Sequence, residues 1–307
     1  MAGNWSLGRK RQVLQTRATI IQEIRHFFVT GGYLEVETPL RIPAPAPEAQ
    51  IDAVVTDGWF LQTSPELCMK RMLAAGYERL FQICHCWRAD ERGRLHLTEF
   101  TMLEWYRTGS DYRDIMTDCE GVIRAVADKL GHGNFIRFRG RTIDIGGEWE
   151  RLTVREAFAR YGETSLEDAL ELDRFDEIMV EFIEPRLGMI RPTFIYDYPA
   201  SRGALARLKA DDSSVAERFE LYIGGLELAN AFSELNDPVE QRRRFEEESA
   251  HRARMQRKCY PLPEPFLGEL DAMPLSAGIA LGVDRLVMVL LDAARIDDVV
   301  AFTPEEL

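Results

Sequence analysis

Residues 81–106 read FQICHCWRADERGRLHLTEFTMLEWY, two strand-like apolar runs on either side of a charged loop. The first run ends at Arg88, and the second carries Glu99, Phe100, Glu104 and Tyr106. Strand side chains alternate between faces, so Phe100, Met102, Glu104 and Tyr106 share one face and Thr101, Leu103 and Trp105 the other. A carboxylate and a phenol on the wall of a pocket can hold an ammonium group, which a purely apolar wall cannot. In the first run Cys84 and Cys86 flank His85. No second pair follows at zinc-ligand spacing, so buried thiols on one strand face are favoured over a metal site.

Downstream, GIALGVDR (278–285) is a glycine-punctuated strand that delivers a second arginine, Arg285, into a helix. Between the two lies ERFELYIGGLELANAFSELND (217–237), in which Gly224-Gly225 makes a two-residue hairpin turn. That turn pairs Ile223 with Leu226 and Tyr222 with Glu227, and places Glu220 and Glu227 on one face as diagonal neighbours. Diagonal partners lie roughly 7–8 Å apart, close enough for two carboxylates to share a cation, and Mg²⁺ suits hard oxygen ligands. Strict alternation turns Asn230 and Glu234 to the opposite face from Glu227. A bulge or bend near 229–232 is therefore expected if all are to meet.

The remaining elements follow from periodicity and punctuation. Leu14, Ala18, Ile21, Ile24 and Phe28 recur at helical spacing over 10–30, ended by Gly31-Gly32. Residues 33–38 alternate as a strand stopped by Pro39, and PAPAPE (43–48) is an extended loop. Ser64-Pro65-Glu66 starts a helix that runs to about Ala75. Residues 111–130 form another helix, 131–190 a less patterned insert with helical pieces, 194–200 a strand into a turn, and 241–258 a charged helix. Hairpin-linked strands among helices, with no repeat or linker, point to one α+β domain over 1–307.

Bulk properties narrow the function. A chain of 307 residues, 46% hydrophobic, can bury a large core. The apolar run after Arg285 stops at Asp292, too short for a bilayer, and the first residues lack the apolar core of a secretory signal. Five cysteines without a paired framework fit a reducing cytoplasm, so a cytoplasmic protein without a membrane partner is expected. A net charge of −13 disfavours unassisted adhesion to nucleic acid and suits a cationic substrate or a basic partner.

The strand–loop–strand with Arg88 (about 81–106) and the strand–helix with Arg285 (about 278–292) resemble motifs 2 and 3 of class II aminoacyl-tRNA synthetases. The helix, strand and proline at about 10–40 resemble motif 1, the dimer element of that family. The detail in between resembles the lysyl branch. This resemblance implies an antiparallel β-sheet flanked by helices, a homodimer, and activation of an amino acid with ATP and Mg²⁺. It assigns Arg88 to the α-phosphate and the substrate carboxylate, and Arg285 to the γ-phosphate. Asp90, where the family usually has glutamate, would contact adenine, Phe100 would stack on it, and His96 would lie near the phosphates. Glu220 and Glu227 would hold the metal, with Glu220 also at the ATP. Glu66 would receive the backbone amine, Asn230 the carboxylate and Glu234 the side-chain ammonium, beside Glu104 and Tyr106. Glu66, Glu104 and Glu234 together suit a diamine with a carboxylate, the shape of lysine.

Fewer than about thirty residues precede the first motif, too few for the five-stranded OB-fold barrel that reads the anticodon in lysyl-tRNA synthetases. Lysyl motifs without that barrel resemble the elongation factor P lysine ligases, which pass β-lysine or lysine to a lysine of a protein acceptor, elongation factor P, and not to tRNA. Ala280 stands where the synthetases usually have glycine. Its methyl would reshape the pocket near the substrate amine, consistent with a moved amino group, whereas Ser233 is more synthetase-like. Two alternatives stay open: an enzyme that charges tRNA with a separate anticodon chain, and a non-catalytic paralogue. Retention of both arginines and of the acidic cluster argues against the second.

Overall fold

The computed structural model describes residues 5–307. Helix α1 (Trp5–Thr30) contains the expected 10–30 stripe, with Ile20, Ile24 and Phe28 fully buried. The strand expected over 33–38 shrinks to β1 (Leu34–Glu35). Val36 still donates to Phe81 O at 2.9 Å, but Pro39 has no N–H with which to continue a ladder. Strands β2 (Arg41–Ile42), β3 (Val55–Thr56) and β4 (Trp59–Leu61) make a small separate sheet ahead of α2 (Glu66–Ala74). The charged-loop hairpin is β5 (Arg79–Trp87) and β6 (Glu99–Thr108), followed by α3 (Tyr112–Lys129). Asp111 caps α3 in a reciprocal capping box with Asp114.

The insert over 131–190 is more regular than its sequence pattern suggests. It holds the hairpin β7 (Phe135–Phe138) and β8 (Arg141–Asp144), then β9 (Glu150–Thr153), α4 (Val154–Tyr161), α5 (Leu166–Glu171) and α6 (Phe175–Ile178). Then come β10 (Thr193–Pro199), β11 (Val215–Ile223), β12 (Leu226–Ser233), α7 (Pro238–Arg254), α8 (Glu264–Glu269), β13 (Ser276–Gly282) and α9 (Val283–Leu290).

Eight strands form one sheet in the order β1-β5-β6-β13-β12-β11-β10-β9. The interior pairs are antiparallel, and only the outermost, β1 with β5 and β9 with β10, are parallel. This is the α+β arrangement expected from the hairpins. Leu103, Trp105, Leu221, Ala231 and Ile279 face the main core with α1, α3 and α9, so the apolar run after Arg285 is an interior helix. No helix among the described residues is long and apolar enough to cross a membrane. On the opposite face, α2 and α8 pack with Leu80 and Tyr106 at one end, leaving the middle of the sheet open.

Register decides what stands on that open face. Gly224 and Gly225 take positive φ (60° and 71°), and the turn pairs Ile223 with Leu226 and Tyr222 with Glu227, as expected. The next pair, however, is Leu221 with Ala229, so Leu228 is bulged out. The irregularity thus falls one residue earlier than the 229–232 window, next to the turn. Beyond it Glu220 pairs with Asn230, and Glu220, Tyr222, Glu227 and Asn230 share a face. One row of partners then crosses five strands: Gln82, Glu104, Ala280, Asn230 and Glu220.

Candidate active site

A cavity of about 310 Å³ occupies the open face. Of the residues expected to form a site, Glu66, Arg88, His96, Phe100, Glu104, Tyr106, Glu227, Asn230, Glu234, Ala280 and Arg285 line it. The alternation in β6 holds: Phe100, Met102, Glu104 and Tyr106 all face the cavity. Cys84 and Cys86 also share a face, with sulfurs 4.0 Å apart, and all five cysteines are free.

At the amino-acid end, β6 supplies Glu104, which accepts from Ser64 Oγ at 2.5 Å and from Tyr106 Oη at 3.0 Å. Burial, and then the charge of Glu66, push the Glu104 carboxyl well above its ordinary range. Glu66 enters on the first turn of α2, where Ser64 Oγ accepts from its N–H at 3.0 Å. Glu234 lies just past the end of β12, and burial raises its carboxyl to about 7 against the opposing pull of Lys70. Neither of its oxygens makes a well-aligned hydrogen bond, although Lys70 Nζ stands 2.5 Å from Oε2. A buried carboxylate with free acceptor capacity over a cavity is placed to take an ammonium group. Gly278 leaves room for it: a Cβ there would lie 2.2 Å from the Tyr106 ring and 2.7 Å from Glu234 Oε1. Ala280 sits between Glu104 and Asn230 on the cross-sheet row, so its methyl is part of the pocket floor.

At the other end, the Arg88 guanidinium lies 5.2 Å from the Phe100 ring centroid and 4.0 Å from Glu91. Its buried Nε has no partner, so little in the protein satisfies this cation. Arg285, in the first turn of α9, contacts Glu227 Oε2 at 3.2 Å and His96 Nε2 at 2.5 Å. With an arginine donor so close, His96 accepts through Nε2 as the neutral ring. Burial and then the Arg285 charge lower its pKa. Asp90 does not line the cavity. It is exposed in a left-handed turn (φ 63°), and its neighbour Glu91 lines the wall instead.

Glu220 also stands back from the cavity. It is held by Arg218 Nη2 at 2.5 Å and by Tyr222 Oη at 2.7 Å. Glu184 approaches from the insert, its carboxyl raised to about 7 by burial and by the charges of Glu220 and Glu227. Carboxyl groups close enough for Glu227 to help raise both Glu184 and Glu220 are suited to a hard divalent cation. Among the described residues no three such ligands converge to enclose an ion. An ion bridging these acids would therefore need phosphate oxygens as further ligands, the usual mode for Mg²⁺.

Sequence reasoning missed Ser64, Lys70, Glu91, Glu184 and Arg218. Lys70 had a signal, four residues after Glu66 and on the same helix face as Leu67 and Leu73, where an unpaired lysine has no place. Arg218 shares strand parity with Glu220. Glu91 and Glu184 lie in a loop and a short helical turn, where no periodicity points to them.

The family model of class II tRNA synthetases (D, K and N) matches residues 6–306. Proteins named elongation factor P–(R)-β-lysine ligase are similar along nearly the whole chain. The one from Vibrio atlanticus is 38% identical, covering 98% of each chain. The one from Photorhabdus laumondii is 40% identical, covering 98% of this chain and 97% of its own. The one from Salmonella arizonae is 40% identical over 94% of each. The chain belongs to the class II tRNA synthetase family, in the branch of these ligases.

Proposed function

We propose that this chain is an ATP-dependent ligase that activates (R)-β-lysine, or lysine, as an adenylate and transfers it to a lysine of elongation factor P. The observation that carries this reading is the pocket of Glu66, Glu104 and Glu234 over Gly278, floored by Ala280, in a chain similar along nearly its whole length to proteins that bear that name.

In the first step a carboxylate oxygen of the amino acid attacks the α-phosphorus and pyrophosphate leaves. Arg88 draws the carboxylate and α-phosphate together, and its weak tethering leaves the guanidinium free to do so. Arg285 receives the γ-phosphate once its contact with Glu227 is exchanged for the nucleotide, and His96 steadies it. Phe100 offers a face to adenine after Arg88 swings off the ring. Asp90, exposed in its left-handed turn, reaches adenine only when its loop turns inward. Glu220 and Glu227, together with the phosphates, would hold Mg²⁺, which would supply charge neutralisation to the pyrophosphate leaving group. Glu66 and Glu234 take the two ammonium groups, Asn230 orients the carboxylate, and Glu104 with Tyr106 completes the wall. In the second step the acceptor ε-amine attacks the acyl carbon, AMP leaves, and the amine loses a proton.

The same reading makes the enzyme a cytoplasmic homodimer. Val29, Leu34 and Leu40 stand exposed along the 29–40 segment, an apolar edge suited to a second copy.

The deciding experiment offers labelled (R)-β-lysine and α-lysine, with ATP, to elongation factor P and to tRNA side by side. A mass increase on the protein, greater with β-lysine, is expected. Efficient charging of tRNA without any change in elongation factor P would overturn the reading in favour of a tRNA-charging enzyme.

A further inference from the structure

Lys70 is fully buried at the amino-acid end of the cavity, with Nζ 2.5 Å from Glu66 Oε1 and 2.5 Å from Glu234 Oε2. These are the two acids placed to hold the ammonium groups of the substrate. A lysine inside that site at first looks contrary to its purpose, because it competes for the same carboxylates. The charges resolve this. Glu66, Glu104 and Glu234 are three carboxyl groups facing one resident ammonium, so two carboxyl groups stand in excess of Lys70 for the incoming molecule. We infer that Lys70 is a positioning residue, a resident counter-ion that bridges Glu66 and Glu234 and sets the pocket to accept a substrate with two ammonium groups. The inference rests on the functional reading above and adds the basis of its charge selectivity.

The surroundings support it. Burial alone would discharge Lys70, but Glu234 and Glu66 outweigh that and raise its pKa. The other charged or titratable groups near these acids are Glu48 from the 43–52 loop, Cys84 from β5, Glu104 and Tyr106 from β6, Arg88 beyond β5, and Arg207 ahead of β11. Lys70 alone among them bridges both acids. Without it, two carboxyl groups at this separation would share a proton, as paired acids do. The substrate would then have to displace that proton on binding.

The test is Lys70→Met, which keeps the shape and removes the charge, studied by ATP–pyrophosphate exchange with (R)-β-lysine or α-lysine and no acceptor. The amino-acid KM should rise ~10–100-fold, the scale of a lost charged hydrogen bond. The acidic limb of the pH profile should move up by about one pH unit, while the KM for ATP stays within about twofold because Arg88 and Arg285 are untouched. Lys70→Arg should restore the limb.

Thermal melts supply a second readout that does not depend on activity. The loss of Tm in Lys70→Met should be larger at pH 8 than at pH 6, because burial raises the Glu234 carboxyl to about 7. Parental kinetics, equal changes in both KM values without a shifted limb, or a Tm loss equal at the two pH values would overturn the inference. Absence of any amino-acid-dependent exchange in the wild type would instead overturn the functional reading itself.

Discussion

Glu220 stands directly opposite Asn230 across β11 and β12, and it does so only because Leu228 is bulged out of the ladder. Without that extra residue the β12 positions beyond it would point into the core, and Asn230 and Glu234 would be lost to the cavity. The bulge therefore brings Glu220 and Glu227 onto one surface with Asn230 and Glu234.

Removing the guanidinium from Arg88 should affect chemistry far more than folding. Its nearest acid is 4.0 Å away and its Nε is unpaired, so Arg88→Ala should shift the Tm little. Pyrophosphate exchange should fall ~10²–10³-fold, the usual scale for one preorganised charge stabiliser. Exchange at the wild-type rate would remove Arg88 from the reaction.

Glu227→Gln and Glu220→Gln should each weaken the dependence of exchange on Mg²⁺. The Glu227 change also releases Arg285 from its 3.2 Å contact, so the KM for ATP should not increase in parallel with the Mg²⁺ requirement. A Mg²⁺ titration superimposable on that of the wild type would return these acids to a structural role.

Acid–base linkage gives a prediction for the unliganded protein. Glu48, Glu184 and Glu234 have folded pKa values of about 7, raised by burial from the ordinary 4.5. The folded state then binds more protons than the unfolded chain between those values. Stability should be highest near pH 5 and decline as pH rises through 7. His96, whose pKa is lowered, opposes this trend, but it is one group against three. Melts at pH 5.5 and 8 should differ by about 2 °C or more, with the lower Tm at pH 8. A higher Tm at pH 8 would contradict the assignment of these acids as buried and partly protonated.

Ala280→Gly should narrow the preference for β-lysine over α-lysine, since the methyl lies on the floor between Glu104 and Asn230. The ratio of exchange rates with the two isomers measures it directly. An unchanged ratio would place the selectivity elsewhere in the pocket.

The sheet and most of the pocket were legible because strands report themselves by parity. One reading of β6 put Phe100, Glu104 and Tyr106 on a common face, and the cavity contains all three. The hairpin at Gly224-Gly225 was equally plain, yet the site of its bulge was not, since an extra residue between apolar Leu226 and Ala229 leaves no trace in polarity. Asp90 shows a different limit. Motif alignment locates a residue along the chain, but the left-handed turn of a loop decides whether its side chain points inward. The helical pieces expected over 131–190 are present, but their bounds and the β7–β8 hairpin stayed hidden because each element is only four to eight residues long, too short for a period to emerge.

The row from Gln82 through Glu104, Ala280 and Asn230 to Glu220 works as a ruler with fixed graduations. Neighbouring strands stand about 4.8 Å apart, held by the backbone ladder. The distance from the acid at Glu104 to the amide at Asn230 is thus two graduations, whatever side chains occupy them. No substitution can stretch that interval, and a one-residue slip would turn the whole row into the core. A sheet of this kind can adapt to an amino acid whose amino group has moved along the chain only by changing what is mounted at a mark. Ala280 occupies the mark in the middle.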